Sequence, residues 1–317
     1  MERAAEDLPA VAAGAPPGTP TRAPVLASFA AIYLVWGSTF LAILWAVETI
    51  PPFTMMALRC LIGGAILLGL GLLREPGFAW PSRREWAGAA VVGALFFVGC
   101  HGLLAYAERT APSGVSALFL ATIPLYVPLL AWWLTGDRRP SLRFSLALLA
   151  GFTGVSLLVA EQSGTGGLST LDAVLLLVSA FCWAAGTVAT RLVPVPRAPL
   201  LGAATPLLAG GVLLVIVALA TGEVTGPRLD HVSARSVVGL AYLIVFGTVA
   251  TFSAYIWLIR VVSPTRVATY AFVNPAVAVL LGWAIEGESL ATGSIVATVV
   301  IVAAVAVAVT ERGGGTE

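Results

Sequence analysis

Residues 104–159 read LAYAERTAPSGVSALFLATIPLYVPLLAWWLTGDRRPSLRFSLALLAGFTGVSLLV, and their reading decides the fold. Moved forward 151 positions without a gap, this stretch lies on residues 255–310. Arg109 then meets Arg260, Ala117 meets Ala268, Pro124 meets Pro275, and Leu129 and Leu130 meet Leu280 and Leu281. Trp132 meets Trp283, Gly136 meets Gly287, and Asp137 meets Glu288. In so apolar a chain the Leu and Ala coincidences carry little weight. Matches of Arg, Pro, Trp and a Gly–acid pair carry more. Two related halves in a membrane chain point to a secondary transporter.

Composition makes the bilayer the solvent. Of the 317 residues 59% are hydrophobic and 10% charged, and the mean hydropathy is +0.97. A soluble domain carries about 25% charged residues. The net charge of +1 offers nothing for a nucleic-acid backbone, so no nucleic-acid partner is expected. All 17 basic residues are Arg, so a phosphate-binding P-loop, which needs Lys, is absent. Direct ATP drive is not expected. Cys60, Cys100 and Cys182 lie in apolar runs with no CxxC and no His/Cys cluster, so no disulfide framework, metal or cofactor is implied.

Residues 1–24 are rich in Pro, Ala and Thr and read as a disordered tail. The apolar run that follows is too long for a signal-peptide core and lacks a small-residue cleavage site, so it reads as a span. At about 20 apolar residues per span, ten transmembrane helices are expected, at 25–47, 53–73, 86–108, 115–134, 142–160, 170–192, 198–221, 235–258, 266–285 and 290–310. The breaks carry turn residues: Pro51-Pro52, Pro76-Gly77, Pro112-Ser113-Gly114, Gly164 to Gly167, Gly222 to Pro227 and Ser263-Pro264. The expected units are a first five-helix repeat at 25–160, a second at 170–310, and a tail at 311–317.

Arginine placement orients the chain. With the N-terminus inside, inner segments hold 13 Arg, outer segments hold Arg109, Arg228 and Arg235, and Arg59 lies within a span. That bias puts both termini in the cytoplasm. Five spans per repeat is an odd number, so the second repeat enters from the other side, with Gly136-Asp137 inside and Gly287-Glu288 outside. Such inverted repeats permit alternating access.

Trp36-Gly37-Ser38-Thr39-Phe40, Arg59, the paired ends Pro124 to Gly136-Asp137 and Pro275 to Gly287-Glu288, and Phe181-Cys182-Trp183-Ala184-Ala185-Gly186-Thr187 together resemble the EamA family of the drug/metabolite transporter superfamily. The resemblance covers about residues 25–310. The run Gly102-Leu103-Leu104-Ala105-Tyr106-Ala107-Glu108, followed by Pro112-Ser113-Gly114, is similar more narrowly to its YedA-like exporter branch. The family's usual Glu after Gly is Asp137 in the first half, and the last span lacks the usual glycines. The resemblance implies an all-α integral membrane protein with two repeats. It also implies outward transport of small metabolites, such as amino acids or drug-like amphiphiles, across a bacterial inner membrane.

Candidate site residues are the polar and aromatic groups inside spans. Arg59 costs about 2.5–3.5 kcal/mol on insertion scales and is expected to face a cavity or an anion; otherwise it snorkels to the interface. His101 and Thr39 lie near its depth on other spans, which suggests one cavity. A histidine there can join proton coupling, although a lone His also serves packing. Glu108 is a candidate partner for Arg59, Arg109 or Arg260, or an interfacial carboxylate. Trp36, Ser38, Thr39, Arg59, His101, Trp183 and Asn274 are the expected substrate-binding set; Tyr106, Tyr126, Tyr242, Tyr255, Trp257 and Tyr270 are further wall candidates. Pro124 and Pro275 are expected helix breaks, each freeing a carbonyl. The partners expected are a small-molecule substrate and the lipid bilayer, with a homodimer admissible. A receptor or scaffold would need no inverted halves. An intramembrane enzyme would need paired catalytic groups within the spans, which hold one His.

Overall fold

The computed structural model describes residues 22–75, 79–136, 139–164, 168–224, 231–262, 270–288 and 292–313. Among the described residues all regular structure is helical. The first repeat contains α1 (Arg22–Val47), α2 (Pro52–Arg74), α3 (Arg83–Ala107), α4 (Ser113–Thr135) and α5 (Leu142–Gly164). The second contains α6 (Thr170–Ala189), α7 (Pro199–Ala220), α8 (Ala234–Tyr255, helical on to Val261), α9 (Tyr270–Glu286) and α10 (Thr292–Gly313). Seven of these are long and apolar enough to cross a membrane: α1 to α4 and α6 to α8. Shorter apolar stretches cover Leu142–Leu157, Val273–Glu286 and Ile295–Ala304. Arg22 to Pro24, expected in the tail, are already helical. The rest of that tail, Asp137, Arg138, residues 165–167 and 225–230, Pro76-Gly77, Ser263-Pro264, Arg266 and residues 314–317 lie outside the described residues.

Local chemistry sets the helix ends. Ser82 caps α3 in a reciprocal box with Glu85, and Ser169 caps α6 in the same way with Asp172. Ser233 caps α8 by accepting from the Ser236 N–H. Ser82 and Ser233 again stand 151 residues apart, so the repeat register extends to the start of each third helix. Gly136 and Gly287 end α4 and α9 at φ +69° and +68°, a left-handed turn that glycine adopts without strain. The Gly–acid match in the sequence is thus a matched pair of helix stops.

Packing joins the halves rather than filling each. The principal helix pairs are α2 with α7, α5 with α10, α3 with α6 and α7, α4 with α6 and α9, and α1 with α8 and α9. Exchanging each helix for its repeat partner maps these pairs onto one another, with α3–α6 becoming α8–α1, α4–α6 becoming α9–α1 and α3–α7 becoming the further contact of α8 with α2. Mutual pairing of this kind is what a two-fold relation produces. Small residues allow it, because helices in lipid associate by close backbone approach. On α2, Gly63, Gly64 and Leu67 are buried, while Leu58, Ile62 and Ile66 form an exposed stripe at fourth positions. Both faces of this helix are apolar, so the outer one faces lipid. Trp133 and Trp283, 75% and 53% exposed, likewise point outward near helix ends.

The two proline helices differ. In α4 the helix is interrupted after Leu120 and restarts at Ile123, just before Pro124. Thr122 stitches the break, its Oγ1 donating to the Phe119 carbonyl at 2.6 Å. The break expected at Pro275 is not formed: α9 runs through it from Tyr270 to Glu286. With its amide nitrogen facing them, Asn274 donates to the carbonyls of Tyr33 (3.2 Å) and Tyr270 (3.3 Å), one residue before the proline. That ties the helix to α1 at the point where Pro275 removes a donor.

Candidate functional site

Three helices contain wide π turns: α1 at Ala31–Val35, α3 at Ala94–Gly102 and α8 at Leu243–Ala250. The latter two overlap under the repeat shift. A π turn displaces carbonyls from the regular ladder and offers them to side chains. In α8, Thr248 Oγ1 donates to Leu243 O at 2.9 Å and Thr251 Oγ1 to Phe246 O at 2.7 Å. In α3, His101 Nδ1 lies 2.9 Å from Phe96 O.

Arg59 reaches from α2 to the α8 turn. Its Nε donates to Thr248 Oγ1 at 3.0 Å, and its NH1 lies 4.0 Å from Met56 Sδ. Arg59 is 8% exposed, and among the described residues no carboxylate pairs with its guanidinium. Trp36 approaches the same turn from α1, its Nε1 donating to Gly247 O at 3.1 Å. Gly247 is small for a reason: a Cβ there would stand 2.9 Å from the Thr39 methyl and 3.7 Å from Arg59 NH2. Gly63 likewise admits Thr248, whose methyl lies 2.8 Å from the position of a Cβ.

The remaining walls are aromatic. Trp36 packs 5.4 Å from Tyr255 and 5.2 Å, edge-on, from Tyr270. Ser38 Oγ donates to Val35 O, so the Tyr242 hydroxyl, 2.6 Å away, donates to Ser38. Thr39 Oγ1 turns back to Trp36 O at 2.6 Å. Asn274 borders the site through Gly37, where a Cβ would meet Asn274 O at 3.2 Å. Trp36, Thr39 and Arg59 therefore meet at the Gly247–Thr248 turn, while Ser38 is tied to Tyr242 and Asn274 lies against Gly37.

His101 and Trp183 form a neighbouring group. Their rings meet edge-on at 5.2 Å, with Phe96 4.5 Å from Trp183 and Phe97 5.8 Å from His101. Glu108 stands apart: neither carboxylate oxygen has a hydrogen-bond partner, and Arg109 lies over the Tyr106 ring at 5.0 Å instead. The Arg260 side chain lies outside the described residues. Tyr126 packs on Phe152 and Phe181, away from the Trp36 cluster.

Gly247 and Thr248 were not among the sequence candidates. The usable signal was Gly63-Gly64 one turn beyond Arg59, a mark of close backbone approach. Thr248→Val keeps the shape and removes the oxygen that holds Arg59 Nε. A hydrogen bond to a charged group is worth about 1.5–3 kcal/mol. The expected result is normal protein level and a roughly 10- to 100-fold weaker apparent affinity for cargo that engages Arg59, read as KM in flux assays. An unchanged KM would free Arg59 from any dependence on the α8 turn.

This arrangement defines a class: a multi-pass membrane protein of two mutually packed repeats, with a cationic, aromatic-walled candidate site at their seam. The chain belongs to the EamA-like transporter family, which matches it twice, over residues 24–160 and 171–310. It is 36% identical over 286 residues to the inner membrane transporter YedA of Escherichia coli (strain K12), covering 88% of this chain and 90% of that one. It is 28% identical over 274 residues to protein PecM of Dickeya dadantii (strain 3937), covering 85% and 87%. A solved crystal structure superposes with a TM-score of 0.61 at 20% identity, covering 93% of this chain and 100% of the other, which speaks to the fold alone. As a member of a transporter family the protein is not expected to be an enzyme.

Proposed function

We propose that this protein is a secondary transporter that exports small metabolites, amino acids or drug-like amphiphiles, across the inner membrane by alternating access. In this reading the seven long helices and three shorter apolar ones are ten spans, in two inverted units at 25–160 and 170–310, with both termini cytoplasmic. The observation that carries it is the seam itself. Arg59 and Trp36 of one repeat are bonded to adjacent residues, Thr248 and Gly247, of the other. A group bound there touches both halves, so their relative movement changes its surroundings. The unpaired guanidinium favours a carboxylate on the cargo, which it can grip with a two-pronged hydrogen bond. The aromatic walls favour an apolar body.

The test is flux. Reconstituted into proteoliposomes, the protein should drive saturable movement of carboxylate-bearing amphiphiles. Binding without flux would support a receptor, and chemical conversion of the cargo an enzyme.

Orientation is tested separately. Single cysteines replace Arg138 and Gly166 in a chain from which Cys60, Cys100 and Cys182 have been removed. Only the cysteine at 166 should react with an impermeant thiol reagent on intact cells. The opposite pattern would overturn the orientation and the inverted-repeat reading together.

A further inference from the structure

A second polar cluster lies at the helix ends that carry residues 108–114 and 286–288. The Glu288 carboxylate accepts three hydrogen bonds from the start of α4. The donors are Ser113 N–H at 2.7 Å, Ser113 Oγ at 2.7 Å and Gly114 N–H at 3.0 Å. Unpaired N–H groups and the helix dipole favour an anion there. The fit is close, since a Cβ on Gly282 would stand 2.3 Å from Glu288 Oε2 and one on Gly114 3.1 Å. The left-handed Gly287 turns the chain back, and Glu288 N–H is held by Gly282 O at 3.1 Å. Glu288 follows a second-repeat helix and α4 belongs to the first, so this contact latches the halves together.

Beside the latch lies Glu108, just past the end of α3 and 0% exposed. Both of its carboxylate oxygens lack a hydrogen-bond partner. Ser116 Oγ, the nearest donor, lies outside good hydrogen-bond geometry and favours the ionised carboxyl only weakly against the effect of burial. The charged groups around it are committed elsewhere. Arg109 lies over Tyr106, and Asp172 accepts from Thr110 and Ser169. Arg235 pairs with Glu48 and Glu286. Glu108 itself borders a hollow of about 560 Å³ that Glu48, Arg109 and His231 also line, so water stands close to it once its cover moves. Burial, and after it the Glu288 charge, raise the Glu108 pKa well above the ordinary carboxylate range. An ionised carboxylate with no well-formed hydrogen bond is disfavoured in such a place, and the neutral acid is tolerated.

We propose that Glu108 is a proton-binding site, filled while the Glu288 latch is shut and emptied to water when the latch opens. One proton leaves the Glu108 carboxyl for solvent on opening and returns on closing. The assignment rests on the alternating-access reading above and gives that reading a coupling site. The sign follows from linkage. The shut state binds the proton more tightly than the open state. Its advantage is therefore complete below the open-state pKa and is lost as pH rises through the raised, shut-state value. Acid keeps this end closed and alkali opens it.

The test uses the full chain without its three native cysteines and without any cargo. Ala111→Cys, at a site 1% exposed two residues before Ser113, reports opening. Thr170→Cys, exposed at the start of α6, corrects for thiol ionisation. The ratio of their maleimide labelling rates should rise with pH, by up to about tenfold per unit where one proton is linked. With Glu108→Gln, a permanently uncharged stand-in, the ratio should stay low and flat. A ratio that is flat with Glu108 present, or that rises equally in the Gln variant, overturns the proposal. The unaltered protein supplies a second readout should the variants misfold. Its infrared spectrum at neutral pH should contain the C=O band of a buried carboxylic acid, and absence of that band overturns the proposal as well. Neither outcome touches cargo flux, so failure here leaves the transport reading standing.

Discussion

Arg59→Gln should reach the membrane at normal level and lose transport of anionic and zwitterionic cargo, while cationic cargo is spared. Glutamine keeps hydrogen-bonding capacity toward Thr248 and removes only the charge and the fork. Truncating one partner of a buried, hydrogen-bonded charge pair costs about 2–5 kcal/mol, or roughly 30-fold to several thousandfold in affinity. The second half of the expectation comes from the site itself. Among the described residues no carboxylate balances Arg59, so its removal strands no internal anion. A structural role predicts something else, namely loss of protein from the membrane. Flux of matched cargoes, one with a carboxylate and one with an amine, decides between the two. Equal transport of both by Arg59→Gln would reduce the arginine to a side chain that snorkels.

Gly93→Leu should remove most of the folded protein, leaving about a tenth of the normal membrane level or less. On α3, a Cβ at Gly93 would stand 2.5 Å from Pro206 O and 2.7 Å from Gly210 N on α7. Gly210 answers from the other side, its own Cβ position 2.8 Å from Gly93 O. Here backbone meets backbone, so no rotamer change relieves the clash. Overpacking costs typically about 1–3 kcal/mol even where side chains can adjust. Gly69→Ala is the control. No atom lies within 4 Å of its Cβ position, and alanine in a helix interior gains roughly 0.5–1 kcal/mol over glycine. Detergent-extracted, monodisperse protein measures both. Normal yield of Gly93→Leu would mean that α3 and α7 do not cross as described.

The parts of the site legible in the sequence were those with an anomalous residue type. An arginine in a span and a WGST run stand out against Leu, Val and Ala because a polar group in lipid needs a reason to be there. Their partners do not stand out. Thr248 is 189 positions from Arg59, and threonine is unremarkable in a span. The π turns that aim Thr248 and Gly247 at the first repeat leave no mark on hydrophobic periodicity. The same limit applies to depth. Counting rise along helices put Thr39, Arg59 and His101 at one level, and the structure divides them into two neighbouring groups. Rise gives height, whereas the direction a side chain faces depends on rotation and on the neighbour it meets.

By itself the sequence determined the solvent, the repeat and the family. Apolar composition settles the first, because water cannot accommodate that surface. A register of 151 residues settles the second; in the structure its matched glycines prove to be left-handed helix stops, and it extends to a pair of capping serines outside the matched stretch. Tertiary structure alone decided how the halves meet. Helices in lipid lack a hydrophobic drive toward one another, so partner choice rests on close backbone contacts that glycines permit one crossing at a time. The contrast is plainest at Pro124 and Pro275. The sequence makes them equivalent. One follows a break in α4 that Thr122 closes on the Phe119 carbonyl, and the other sits in a continuous helix whose Asn274 reaches the Tyr33 carbonyl of the opposite repeat.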